Sequence, residues 1–194
     1  MEVNLQGETV LRHLERFLGP LKKRWLNNAA PSFQVLLFSE RPKQDSQCLV
    51  TYGLSAHLLQ IVGNGDNAIK MELLICADSS FDPDALAALL FAVGQDAVTQ
   101  HATPGVRRVL MGSGAILLNP VFEHFYLALP GYFPAEFEVC EAVSPPVAIV
   151  QLIPISSKER EAIEKRGWRA FEEAMVEQHI DLLAFDNRRE LMTT

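Results

Sequence analysis

The chain has 194 residues, of which 48% are hydrophobic and 21% charged, and a formal net charge of −7. Those values sit at the globular average, so one domain with a sizeable core is expected and a disordered chain is not. The acidic balance excludes broad, charge-driven nucleic-acid binding, which needs a basic face; Lys22-Lys23-Arg24, Arg107-Arg108 and Arg188-Arg189 read as solvated surface charge.

Cys48, Cys76 and Cys140 are odd in number, widely spaced and set in or beside apolar runs, so neither a disulfide framework nor a zinc site is expected. His13, His57, His101, His124 and His179 form no ligand spacing, and no cofactor motif is present, so no metal and no cofactor are expected. The amphipathic start, interrupted by Glu8, Arg12, Glu15 and Arg16, is unlike a signal peptide. No apolar run approaches the ~20 residues that span a bilayer. A cytoplasmic protein without membrane contact is the expectation.

In chain order, Val10, Leu11, Leu14, Phe17 and Leu18 recur at helical spacing, which predicts a helix from about Glu8 to Leu18, ended by Gly19-Pro20. Lys22 to Pro31 reads as a connection anchored by Trp25. Phe33 to Phe38 and Cys48 to Tyr52 read as strands, followed by two more around the turn pair Asn64-Gly65. The second of that pair, Ile69 to Ala77, is almost unbroken in its apolar content and should be central. Asp82-Pro83 then opens a helix with Leu86, Leu89, Leu90, Val93 and Ala97 on one stripe. Strands are predicted at Ala115 to Leu118, His124 to Leu129 and Val147 to Ile153, with an edge at Phe137 to Val143. Ser156 and Glu159 match a capping box that starts a helix, which Gly167 interrupts. Ile180 to Glu190 is open between a strand and a loop. Runs of strands with helices at the ends and one in the middle predict an α+β fold, a mixed, largely antiparallel sheet with helices packed against it.

Candidate chemistry is thin. Gly53-Leu54-Ser55-Ala56-His57 lacks the last glycine of a nucleophile elbow, and a strand rather than a helix follows it, so the strand simply ends there. Gly63-Asn64-Gly65 and Gly112-Ser113-Gly114 are turn glycines without the lysine of a phosphate loop. At the carboxy-terminal end, Asp186 stands beside Arg188 and Arg189, and an arginine fork there can hold a carboxylate and fix the chain end against the sheet.

Several stretches together resemble the Suppressor of fused (SUFU-like) family. They are "VTYGLS" (Val50 to Ser55), "MELLI" (Met71 to Ile75), "PDALAALLFAVGQDAV", "FYLAL" (Phe125 to Leu129), "VAIVQLIPISSKERE" (Val147 to Glu161) and "DNRRE" (Asp186 to Glu190). They occur in the family's order over about three quarters of the chain. The aspartate often found after G-L-S is Ala56 here, and the chain ends soon after the Asp-x-Arg-Arg motif, as in a stand-alone bacterial member.

The resemblance implies a SUFU-like fold, with residues 1–32 as an N-terminal helix and connection packed on a 33–194 core, a single domain overall. It also implies a non-catalytic module that binds a protein or peptide, with a toxin-immunity role for stand-alone bacterial members. The motif positions carry over as partner-binding candidates: Tyr52 and Ser55 at the turn, Glu72 on the central strand, and Asp186, Arg188 and Arg189 near the end. A monomer or weak homodimer is expected. Two alternatives stay open. One is a hydrolase-like enzyme with a dispersed site from Tyr52, Ser55, Glu72 and Asp186; the other is a structural subunit that closes an apolar patch in a two-fold assembly.

Overall fold

The structure, a computed structural model, describes residues 2–26, 33–63, 65, 67–112 and 119–192, without the side chains of residues 2–5 and 186–187. The first helix, α1 (Glu2–Leu18), leads to β1 (Lys23–Leu26), β2 (Gln34–Ser39), β3 (Ser46–Tyr52), β4 (Leu59–Ile61) and β5 (Ala68–Asp78). After α2 (Pro83–Gln100) come β6 (Ala102–Thr103), β7 (Arg108–Leu110), β8 (Phe122–Ala128), β9 (Val139–Cys140) and β10 (Val147–Ser156). The chain then forms α3 (Ser157–Arg166) and α4 (Trp168–Glu177), and a kinked 3-10 segment spans Leu182–Asn187.

The main sheet runs in the order β1-β2-β3-β5-β10-β8-β7. Among the described strands only β5–β10 and β4–β6 pair in parallel; every other pairing is antiparallel. The expected α+β architecture is therefore the one observed. β5 is central, between β3 and β10, and its alternation assigns the two faces. Met71, Leu73, Ile75 and Ala77 meet Leu86, Leu89, Leu90 and Val93 of α2 on one side. Leu74 and Cys76 meet Val10, Leu14 and Leu18 of α1 on the other. Further along that second face, Tyr126, Ile153 and Ile155 are covered by Ile163 of α3 and by Phe171 and Met175 of α4.

Local signals act where they are read. Asp82 caps α2 by accepting from the Asp84 N–H at 3.0 Å, with Pro83 in the first turn, where no donor is needed. Ser156 ends β10 and caps α3 in a reciprocal box with Glu159. Gly167 separates α3 from α4.

One expected connection is a strand. Lys22 to Pro31, expected as a connection, contains β1, whose partner is β2. Only Trp25 of its four side chains is part-buried, so no alternation betrays the strand. Trp25 is the anchor expected: its Nε1 and Lys23 Nζ both donate to Asp84 Oδ1 at 2.7 Å. The segment from Ile180 onward is a 3-10 turn followed by extended chain rather than a strand. The Asn64 turn position and the strand expected at Ala115 to Leu118 lie outside the described residues. The flanking pair of the turn, Leu59↔Ile69 and Gln60↔Ala68, is antiparallel as expected.

Candidate partner-binding site

Glu72 is fully buried near the start of β5, where β3 parts from it; the last rung of that ladder is Val50↔Leu74. Beyond that rung the Glu72 carboxylate replaces the backbone pairing. Oε1 accepts from the Gly53 N–H (2.9 Å), the Ser55 N–H (3.2 Å) and the Ser55 hydroxyl (2.7 Å). Oε2 accepts from the Thr51 hydroxyl at 2.7 Å, and Thr51 Oγ1 accepts in turn from the Leu73 N–H at 2.8 Å. Gly53 turns with φ +97°, a conformation that side chains rarely adopt. The chain is thus folded around one carboxylate. Burial pushes the Glu72 carboxyl up, and the four donors pull it down less than burial raises it. Tyr52 is part-buried beside this node, its hydroxyl against the α1 backbone at Gly7, and burial raises its phenol.

A second buried node closes the carboxy-terminal end. Arg188 grips Glu159 with both ends of its fork, Nη1 to Oε1 and Nη2 to Oε2, each at 2.8 Å, with side chains 1% and 0% exposed. Its donors also reach the Pro154 and Arg189 carbonyls, and its guanidinium lies 4.6 Å over the Phe122 ring. Glu159 accepts further from the Ser156 N–H (2.9 Å) and the Leu191 N–H (2.8 Å). Arg189, exposed, donates to the Gln178 carbonyl. The fork expected near Asp186 exists, and the carboxylate it holds is that of Glu159. The Asp186 side chain lies outside the described residues.

The open surface lies elsewhere. Two grooves of about 500 and 490 Å³ open on opposite faces at the β8–β7 end of the sheet. The groove on the α2 face has Met71, Leu73 and Leu127 as its floor, with Val62, Leu110 and Met111 at its walls. The groove on the α4 face has Ala128 and Ile153 beneath it, with Met175, Val176 and Tyr132 around it. Val62, Met111, Tyr132 and Val176 are 67%, 61%, 40% and 74% exposed, and they are among the largest exposed apolar or aromatic side chains of the chain. β7, the last described strand in the sheet order, pairs with β8; Arg108 to Leu110 line the α2-face groove, and Arg107, just before the strand, lines the other.

Arg107, Glu172 and Tyr132 of the second groove have partners within the fold. Arg107 stacks 4.2 Å over the Trp168 ring and sits 3.5 Å from Glu172, which also accepts from the Tyr126 hydroxyl at 2.8 Å. Tyr132 donates to Asp181 and accepts from the Leu182 N–H, each at 3.1 Å, and burial pushes its phenol up to about 12.

Of the candidate residues, Ser55 and Glu72 are in direct contact and Tyr52 is beside them, while Arg188 belongs to a separate node. None of these lines either groove. That the lining residues form a groove went unnoticed in the sequence, and Val62, Met111, Tyr132 and Val176 were not singled out at all. An available signal was Val176, an apolar residue among Glu172, Glu173 and Glu177 on an otherwise polar helix face. Among the described residues no group of three or more His, Cys, Asp or Glu is placed to hold a metal ion, and no helix is long and apolar enough to cross a membrane.

Among the described residues, a mixed sheet with helices on both faces, internally hydrogen-bonded polar nodes and a terminal strand beside apolar grooves define a scaffold with a candidate binding surface. The family model of the Suppressor of fused protein (SUFU) matches residues 29–190, and the chain belongs to that family. The fold is that of a SUFU homolog from Neisseria gonorrhoeae, with a TM-score of 0.75 at 19% identity and 97% of each chain covered. A chain of the Sufu–Fu complex matches with a TM-score of 0.63 and 10% identity, over 92% of this chain and 84% of that one. Drosophila Suppressor of Fused matches at 0.56 and 12% identity, over 81% of this chain and 42% of its own length. No curated protein matches the sequence.

Proposed function

We propose that this chain is a non-catalytic module that sequesters a protein partner by accepting an extended segment of it along β7. The observation that carries this reading is the pair of apolar grooves at the β7 end of the described sheet, one lined by β7 itself and the other by Arg107 just before it. An added strand takes its backbone hydrogen bonds from a sheet edge and points successive side chains to opposite faces, one set toward each groove. Covering the exposed Val62, Met111 and Val176 side chains supplies the apolar term, about 25 cal/mol per Å² removed from water. The Sufu–Fu complex, in which a protein of this fold is held with another, supports protein binding as the activity.

In this reading Tyr52, Ser55, Glu72 and Arg188 act on the partner through the scaffold they hold, and Arg189 adds an exposed donor at the chain end. The finer role is neutralisation of a toxin domain in the cytoplasm. A net charge of −7 suits a basic partner, because opposite charge accelerates encounter.

The test is co-purification from the native host with stoichiometric recovery of one protein, followed by titration of that protein against Met111→Glu and Val176→Glu. Each substitution puts a charge at an exposed groove wall. Affinity falls tenfold or more, about 1.4 kcal/mol, while the melting midpoint stays put. Unchanged affinity in both variants removes the groove from the reading. Turnover of a small molecule, abolished by Ser55→Ala, removes the non-catalytic reading altogether.

A further inference from the structure

All three cysteines are buried free thiols. Two of them face each other. Cys48 on β3 and Cys76 on β5 are register partners in the antiparallel ladder, 28 residues apart in sequence, with their Sγ atoms 3.0 Å apart. A disulfide needs Cα atoms roughly 4.4–6.8 Å apart, and directly opposed residues of an antiparallel pair lie roughly 4.5–5.5 Å apart. The ladder therefore already supplies the backbone geometry, and the side chains are turned inward to the same apolar cluster.

We propose that Cys48 and Cys76 are a modification site for a thiol–disulfide oxidant, closing to an intramolecular cross-strand disulfide. One cysteine thiolate attacks a sulfur of the oxidant's disulfide and expels one thiol. The second attacks the resulting mixed disulfide and expels the other. Two electrons pass from the cysteine sulfurs to the oxidant, and the two protons leave with its thiols.

Burial raises the Cys76 thiol well above its ordinary value, so little thiolate is present in the closed strand pair. The exchange belongs to a chain in which β3 and β5 are apart, during folding or on opening, and closure of the ladder then brings the two sulfurs together. The bond falls one ladder position short of Leu49↔Ile75 and two short of Val50↔Leu74, the last rung before the chain wraps Glu72. It would tie β3 to β5 just ahead of that turn. Cys140, on β9, packs in the same cluster and is the competitor the test must separate.

The experiment is refolding of the full chain in mixed reduced and oxidised glutathione, then denaturation, thiol titration and peptide mapping. Titratable thiols fall from three to one, and one cross-linked peptide pair joins Cys48 to Cys76. Cys140→Ser forms the same bond and leaves no titratable thiol. Retention of all three thiols, glutathione adducts without an internal bond, or a bond that includes Cys140 overturns the proposal. If Cys140→Ser does not fold, the map of the unaltered chain decides. The outcome is independent of the partner-binding reading, since no groove residue takes part.

Discussion

Glu72 shows how much structure one side chain can organise when it is buried without a cation. An ionised carboxylate is an acceptor only, and here every described partner of its two oxygens is a donor: two hydroxyls and two backbone N–H groups. Glu72→Gln turns an amide NH₂ toward some of those donors and leaves them unmet, which costs about 1–3 kcal/mol, read from urea unfolding at neutral pH. The pH dependence has a definite sign. Burial raises the folded-state pKa above its ordinary 4.5, so the folded chain binds this proton more tightly than the unfolded chain. The stability from Glu72 is full below that ordinary value and declines as pH rises through the raised one. A pH series of unfolding midpoints therefore contains a falling component that the glutamine variant lacks. Arg188 poses the opposite case, a charge pair sealed from water. Arg188→Ala leaves the Glu159 carboxylate buried without its countercharge and costs about 3–5 kcal/mol. Thermal or urea unfolding measures it.

At the scale of elements, α2 is held against the sheet through a close approach that its sequence does not advertise. Gly94 lies on the buried stripe, and a Cβ there would stand 2.6 Å from Phe33 Cζ. Phe33 is itself 2% exposed and packs beside Gly53, so it has little room to yield. Gly94→Ala, which in an exposed helix would stabilise, here destabilises by about 1–3 kcal/mol, measured by urea unfolding. The elements legible in the sequence were those with a period, an apolar run or a cap: α1, β2, β3, β5, α2, β8, β10 and the α3 start at Ser156. Those missed were β1, β6 and β7, strands of two to four residues whose side chains are mostly exposed or half-exposed. A short strand of this kind is defined by the partner it pairs with, not by a pattern of its own.

For the whole molecule, the binding reading predicts a charge-steered encounter. With a basic partner, the association rate falls steeply as salt is raised from low to physiological strength while dissociation changes little, a difference that stopped-flow mixing resolves. Of the candidate site, the turn was readable as residues but not as a device. Val50 to Ser55 and Met71 to Ile75 stood out as motifs, yet nothing local says that Glu72 reaches across to Gly53 and Ser55. The same holds for Arg188, whose nearest acids in sequence are Asp186 and Glu190, each two residues off, and whose carboxylate partner, Glu159, is 29 residues away.

What the sequence determined by itself was every feature carried by near neighbours. Helix periodicity, the Asp82 and Ser156 caps and the central apolar run of β5 all depend on contacts within one or two turns. The tertiary structure alone decided which strands became edges, where the two grooves open and that Cys48 faces Cys76. Those depend on strand order and on the exact register between β3 and β5, and sheet pairing joins residues whose separation along the chain carries no information about their contact.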